Sequence, residues 1–184
     1  MVARHIWQQS EVRWIGGLKP TLFENIAMNK KRKKREPLTA ESRAEKLEGF
    51  EAWLWDMPNA LKRFKNRMPP HIQSQLDFSI ASLDTVEQYL LSQYQTIDAI
   101  MAEPSFILDG YAVYVGETFR KALKGNPLNQ WELMLVEDNV FFDLPVIHTT
   151  YYIGCPLTLV TASLDRRTGH YWSGILNNVL AKQQ

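Results

Sequence analysis

The densest cluster of chemistry-bearing side chains in this 184-residue sequence is Tyr114-Val115-Gly116-Glu117-Thr118-Phe119-Arg120, followed after a short gap by Trp131. On a helix, residues three and four apart are neighbours, so Glu117 is expected to pair with Arg120 or Lys121 on one face. Gly116 lacks a side chain and would let a neighbouring element approach closely, with Trp131 covering the junction. Two kinds of chemistry fit: a carboxylate anchored by arginine that holds a helix against a hairpin, or the same groups gripping a ligand or partner. The first is favoured, and general acid–base work by Glu117 has the least support. Tyr114, Glu117, Arg120 and Trp131 are the candidate binding residues. Trp55 joins them, because Trp53 and Trp55 lie two apart on a helix and cannot both face a core. If Trp53 packs with Phe50 and Leu54, Trp55 is left near the surface as an interface residue.

Other reactive groups are scattered. His5, His71, His148 and His170 lie far apart, with no pair at helical ligand spacing, so no metal site is expected. The single cysteine, Cys155, sits between Gly154 and Pro156, where an inert, partly buried thiol is expected rather than a nucleophile. No nucleophile elbow, phosphate-cradling glycine loop or dinucleotide fingerprint is present, and neither catalytic residues nor a cofactor are expected. Arg166-Arg167, with His170 and Tyr171-Trp172, has the groups to hold an anion, but local pairing is the favoured reading.

Charge is unevenly distributed. Lys+Arg 21 against Asp+Glu 20 gives a net +1, yet residues 1–35 hold nine Lys/Arg and two Asp/Glu, leaving the remainder acidic. Lys30-Lys31-Arg32-Lys33-Lys34-Arg35 is a run of like charges that buries nothing and reads as a solvated linker. Such a run also suits phosphate contacts, so nucleic-acid binding through it is the alternative function, with Lys62, Arg63, Lys65 and Arg67 as a second basic patch. Before it, Ile6-Trp7, Val12-Arg13-Trp14-Ile15 and Leu22-Phe23 form apolar groups broken by Gly16-Gly17 and Pro20. Trp7 and Trp14 are costly to leave in water, so this arm is expected to pack on the body or on a partner. One cysteine excludes a disulfide scaffold, and no apolar window approaches the ~18 residues that span a bilayer. A cytoplasmic protein with no membrane partner is expected, divided into an arm and linker over 1–36 and a single domain over 37–184.

The elements that must position these residues follow from periodicity. Thr39 should N-cap a helix whose stripe is Leu47, Phe50, Leu54, Met57 and Leu61, with Pro58 expected to end or kink it at Met57. Ser82 is the predicted N-cap of a second helix burying Leu83, Val86, Leu90 and Tyr94. A third, from about Phe106 to Leu123 and ending at Gly125, is the candidate central helix. The period then shifts to two: Trp131, Leu133 and Leu135 predict a strand, Glu137-Asp138-Asn139 a turn, Val140 to Leu144 the returning strand, and Val146 to Ile153 a further β-rich stretch. Helices from about Leu157 to Asp165, with Pro156 at the first helical position, and from Thr168 to Ala181 complete an α+β fold with a helical N-terminal half, a small antiparallel sheet and C-terminal helices packed on it.

The order of an N-capped helix at Ser82-Leu83-Asp84-Thr85-Val86-Glu87, a helix bearing Gly110 to Arg120, and Trp131 opening a hairpin resembles a pattern in small uncharacterised bacterial proteins, including immunity-type proteins that accompany polymorphic toxins. The resemblance covers roughly residues 78 to 165. It implies a cytoplasmic α+β protein without catalytic residues that acts by binding another protein.

Overall fold

The computed structural model describes residues 36–123 and 129–183. Lys30 to Arg35, the rest of the arm and Gly125 lie outside the described residues. In chain order the elements are α1 (Ala40–Arg67), α2 (Pro70–Gln73), α3 (Ile80–Gln93), α4 (Ile97–Met101), α5 (Ser105–Ala122), β1 (Gln130–Leu133), β2 (Pro145–His148), β3 (Ile153–Gly154), α6 (Pro156–Arg166) and α7 (Tyr171–Ala181). This is the α+β arrangement that the change of periodicity predicts.

The centre of the fold is α5. Every residue from Leu108 to Phe119 is buried, as befits a helix that is packed all round rather than on one stripe. Helix α1 packs along one side of α5 and α6 along another, while α3 pairs with α7 and also contacts both α5 and α6. Aromatic rings fill the α1–α5 seam: Phe64 meets Tyr111 edge-on at 5.1 Å and stacks on Tyr114 at 5.3 Å, geometries that suit the ring quadrupoles.

Helix α1 starts where its cap predicts, with the Thr39 hydroxyl accepting the Ser42 N–H at 3.1 Å. It does not stop at Met57. It runs unbroken through Pro58 to Arg67, because Pro58 is exposed and the carbonyl it leaves unpaired can be solvated, while Phe50, Met57, Ala60 and Phe64 stay buried on both sides of it. Packing along the inner stripe outweighs the loss of one helical hydrogen bond.

The cap of α3 is Ser79, not Ser82. The Ser79 side chain accepts the Ser82 N–H at 3.1 Å, and the Ser82 hydroxyl donates to the Ser79 carbonyl at 2.7 Å. Ser82 instead ends a buried relay in which the Phe78 N–H donates to the Tyr114 hydroxyl at 3.3 Å and that hydroxyl donates to Ser82 at 2.7 Å. Ser82 thus gives the buried Tyr114 hydroxyl a partner that would be costly to lose.

The sheet has the order β1-β2-β3, antiparallel throughout, with Trp131 opposite Ile147 and Ile147 opposite Gly154. The returning strand therefore begins at Pro145. Val140 to Leu144, expected to be that strand, forms turns instead, closed by the Asp143 N–H donating to the Met134 carbonyl at 2.7 Å and the Met134 N–H to Leu144 at 3.1 Å. Asp143 has a φ of 66°, a left-handed conformation that breaks a strand and that Asp tolerates better than most residues. Pro145 occupies the first residue of its strand, where a missing N–H costs least.

After β3, Pro156 takes the first position of α6 as expected. Helix α7 begins at Tyr171, three residues later than expected, because Arg167 and Gly169 both have positive φ (53° and 73°) and end α6 in a left-handed cap. The Arg167 guanidinium donates to the carbonyls of Leu91, Tyr94 and Gln95 at 2.8 to 3.1 Å, closing the C-terminus of α3. Arg166 lies over the Tyr171 ring at 4.8 Å, so these arginines are engaged locally. Among the described residues no helix is long and apolar enough to cross a membrane.

Candidate functional site

Three of the predicted site residues meet beneath the sheet. Arg120 clamps Glu117 with two donors, Nε to Oε1 at 2.8 Å and Nη2 to Oε2 at 2.9 Å, the bidentate geometry in which a guanidinium holds a carboxylate best. The Trp131 indole N–H donates to Glu117 Oε1 at 2.8 Å. Lys121 does not take part as an ion-pair partner within bonding distance; its ammonium sits 3.2 Å over the Phe78 ring. Burial acts to raise the Glu117 carboxyl, but the hydrogen bonds from Arg120 and Trp131, with the charges of Arg120 and Lys121, outweigh it and hold the carboxyl below its ordinary value. Gly116 makes this possible: a Cβ there would lie 2.1 Å from the Trp131 ring and 3.0 Å from Pro156.

A second carboxylate on α5, which the sequence reading did not single out, repeats the arrangement. Asp109 is eight residues before Glu117, two turns along the same stripe, and its Oδ1 accepts the Trp53 indole N–H at 3.0 Å. The two tryptophans then meet edge to face at 5.0 Å, and Trp53 stacks on Phe50 at 5.8 Å. Two buried acids thus fix two indoles in register, with Val113 between them, in a smaller core cluster distinct from the main one. Acids eight apart on an apolar helix, each matched to a tryptophan elsewhere, were the available signal; nothing local to Asp109 marks it.

Burial raises the Asp109 carboxyl from 3.8 to about 6, with the Trp53 hydrogen bond and the nearby Arg63 and Arg67 charges opposing it. A proton is held more tightly in the folded chain than in the unfolded one, so this group favours folding fully below about pH 4 and that contribution is lost as pH rises through 6. A difference of this size between the folded and unfolded carboxyl corresponds to roughly 3 kcal/mol of stability. Asp109→Asn, which keeps an acceptor for Trp53, is therefore expected to be more stable than the native protein at pH 7 and to lose the decline between pH 4 and 6; denaturant midpoints measured across that range check it.

Above this layer, α1 and the edge strand β1 enclose a groove of about 450 Å³. Phe50, Trp131, Leu133 and Leu135 form its apolar interior, Leu47 and Val136 its lips, and Arg43, Glu132 and Glu137 its polar margin. Leu47 is 41% exposed and Val136 58%, apolar side chains left in water beside a concave surface. Polar contacts tie α1 and the segment before it to the chain that follows β1: Arg43 donates to the Leu135 carbonyl at 3.2 Å, Lys46 pairs with Asp143 at 2.6 Å, and the Leu38 N–H donates to Glu137 at 3.2 Å.

The remaining predicted residues fall elsewhere. Tyr114 is 1% exposed, sandwiched between Phe64 and Phe78, and has no access to a partner. Trp55 is 74% exposed on α1 but does not line the groove. The second basic patch is partly spent on the protein itself, since Arg63 pairs with Asp56 at 2.7 Å and Arg67 lies 5.2 Å from the Phe106 ring. His148 bonds Glu132 across the sheet, Cys155 is buried with its thiol pushed up to about 11 by desolvation, and His170 stands apart at the start of α7. No group of three or more His, Cys, Asp or Glu that could hold a metal occurs among the described residues. No protein family, curated protein or solved structure matches the chain.

Proposed function

We propose that this is a non-enzymatic protein-binding module, of the immunity type that binds and neutralises a partner, and that it seats part of the partner in the groove between α1 and β1. The observation that carries the reading is the groove itself: about 450 Å³, apolar inside, with Leu47 and Val136 exposed at its mouth beside an edge strand. Edge strands and rigid aromatic floors are common ways for a protein to receive a peptide segment. The acidic balance of residues 36–184 favours a basic partner surface. Glu117, Arg120 and Trp131 serve the binding by fixing the floor.

The test is capture from native lysate by the full chain, with nuclease treatment and a salt series, beside Leu47→Asp. A defined protein that survives nuclease and is lost from Leu47→Asp is the expected result. The competing reading, nucleic-acid binding through Lys30 to Arg35, requires nucleic acid to be retained and to leave steeply as salt rises, indifferent to Leu47.

A further inference from the structure

Helix α1 has an outer face that the groove does not use. Glu48, Ala52, Trp55, Asn59 and Lys62 recur at alternating spacings of four and three and are all exposed, the spacing of a seam along which two helices pack. Trp55, at 74% the most exposed large apolar side chain among the described residues, stands midway along a helix that runs from Ala40 to Arg67. Charge on this face divides at Trp55. In the first half the two cations are drawn to the sheet side, Arg43 to the Leu135 carbonyl and Lys46 to Asp143, so Glu45, Glu48 and Glu51 make the outer surface acidic. Beyond Trp55, Arg63 is taken up by Asp56 at 2.7 Å, and Lys62 and Lys65 make it basic. None of these three acids and two lysines forms an ion pair among the described residues. The helix dipole favours acids at the start and bases at the end, but its effect fades within the terminal turns. Glu48 and Glu51 lie beyond the first turn, and the dipole gives no reason for a bare indole between the two blocks.

We propose that this face is a self-association surface, on which a second copy of the chain lays its own α1 antiparallel across Trp55. Charge complementarity selects that occupant. A two-fold axis at Trp55 sets residues equally far before and after it at the same level, so Glu48, seven positions before, meets Lys62 of the second copy, seven positions after, with Glu51 beside it. The symmetry makes the pairing twice. A parallel arrangement would set acid on acid and base on base, so charge fixes the direction as well as the partner. The two indoles meet at the axis as aromatic anchors, and the small Ala52 beside each leaves room for the other's ring. From Glu48 to Lys62 the contact is about 20 Å long at the rise of an α-helix. An interface of one helix face is small, and the dimer is correspondingly weak, in the micromolar range. The surface is separate from the groove between α1 and β1 and does not depend on the function proposed for it.

The test is sedimentation equilibrium of the full chain at low and high salt. Monomer and dimer in equilibrium at low salt, with the dimer weakened as salt rises, is the expected result. Trp55→Ala is expected to weaken the dimer at least about tenfold. Lys62→Glu and Glu48→Lys change exposed residues that the fold does not need, and each is expected to weaken it at least about fivefold by setting like charges together. An equimolar mixture of those two variants is expected to recover association to near the native level, because each altered residue then meets its opposite on the other chain. A chain that stays monomeric up to millimolar concentration overturns the proposal, and so does a dimer indifferent to Trp55→Ala. A mixture that associates no better than either charge variant alone removes the pairing of Glu48 with Lys62 and overturns it too. A dimer lost in Leu47→Asp but kept in Trp55→Ala assigns self-association to the groove, against the proposal.

Discussion

Gly116→Ala is expected to destabilise the protein by about 2 kcal/mol or more, and Gly116→Val by more still, although neither adds a polar group or removes a contact. The added Cβ would sit 2.1 and 2.2 Å from two ring carbons of Trp131, with Pro156 at 3.0 Å behind it. Overpacking a filled interior typically costs about 1–3 kcal/mol because neighbours are forced from their preferred rotamers. Here the neighbour has little freedom. The Trp131 ring is fixed at its nitrogen by Glu117 and packed against Trp53, so relief requires β1 to move or the indole to release the carboxylate. Chemical denaturation gives the stability change, and the Trp131 indole N–H resonance reports whether the hydrogen bond survives. An alanine variant as stable as the native protein, with that resonance unmoved, would show that the α5–β1 contact is looser than described.

Trp131→Ala is expected to cost about 3–5 kcal/mol, the usual range for deleting a large buried aromatic side chain. Trp131→Phe separates the two parts of that cost. Phenylalanine keeps a ring against Trp53 but cannot donate to Glu117 Oε1, so its loss should be nearer the ~1–3 kcal/mol of an unsatisfied buried acceptor, moderated by the Arg120 bonds that remain. Both variants alter the groove floor, and both should weaken partner capture at temperatures where the protein stays folded. If Trp131→Phe matched Trp131→Ala in stability, the hydrogen bond rather than the ring would be the dominant contribution.

Much of this arrangement was legible because it is local. Glu117 and Arg120 are three apart, Gly116 is the position of close approach on the same helix, and the Thr39 cap and Pro156 at the first position of α6 depend on residues within one turn. What the sequence concealed depends on partners far along the chain. Pro58 is tolerated because α5 supports α1 on both sides of it. Val140 to Leu144 has the composition of a strand, but Asp143 in a left-handed conformation turns the chain before Pro145. Asp109 needs Trp53, 56 positions away, to be recognised as anything other than a polar residue on an apolar helix.

Glu87 is the same lesson in the main core. Read from the sequence it is an acid midway along α3; in the fold it is fully buried, and its Oε2 accepts the Trp172 N–H at 3.0 Å at the head of α7. Burial raises its carboxyl, against hydrogen bonds from the backbone of Trp172 and Tyr171. The groove, likewise, belongs to no single segment: α1 supplies one wall and β1 the other, about 80 residues later in the chain, and periodicity within either element says nothing of the space between them.

Whether that groove is where a partner binds is most directly decided by amide hydrogen exchange on the full chain, with and without the captured protein. Protection gained by residues 40–50 of α1 and 130–137 around β1, and lost in Leu47→Asp, is the expected footprint. Protection confined to the α3 and α7 surface, with the groove walls exchanging as they do in the unbound chain, would contradict it.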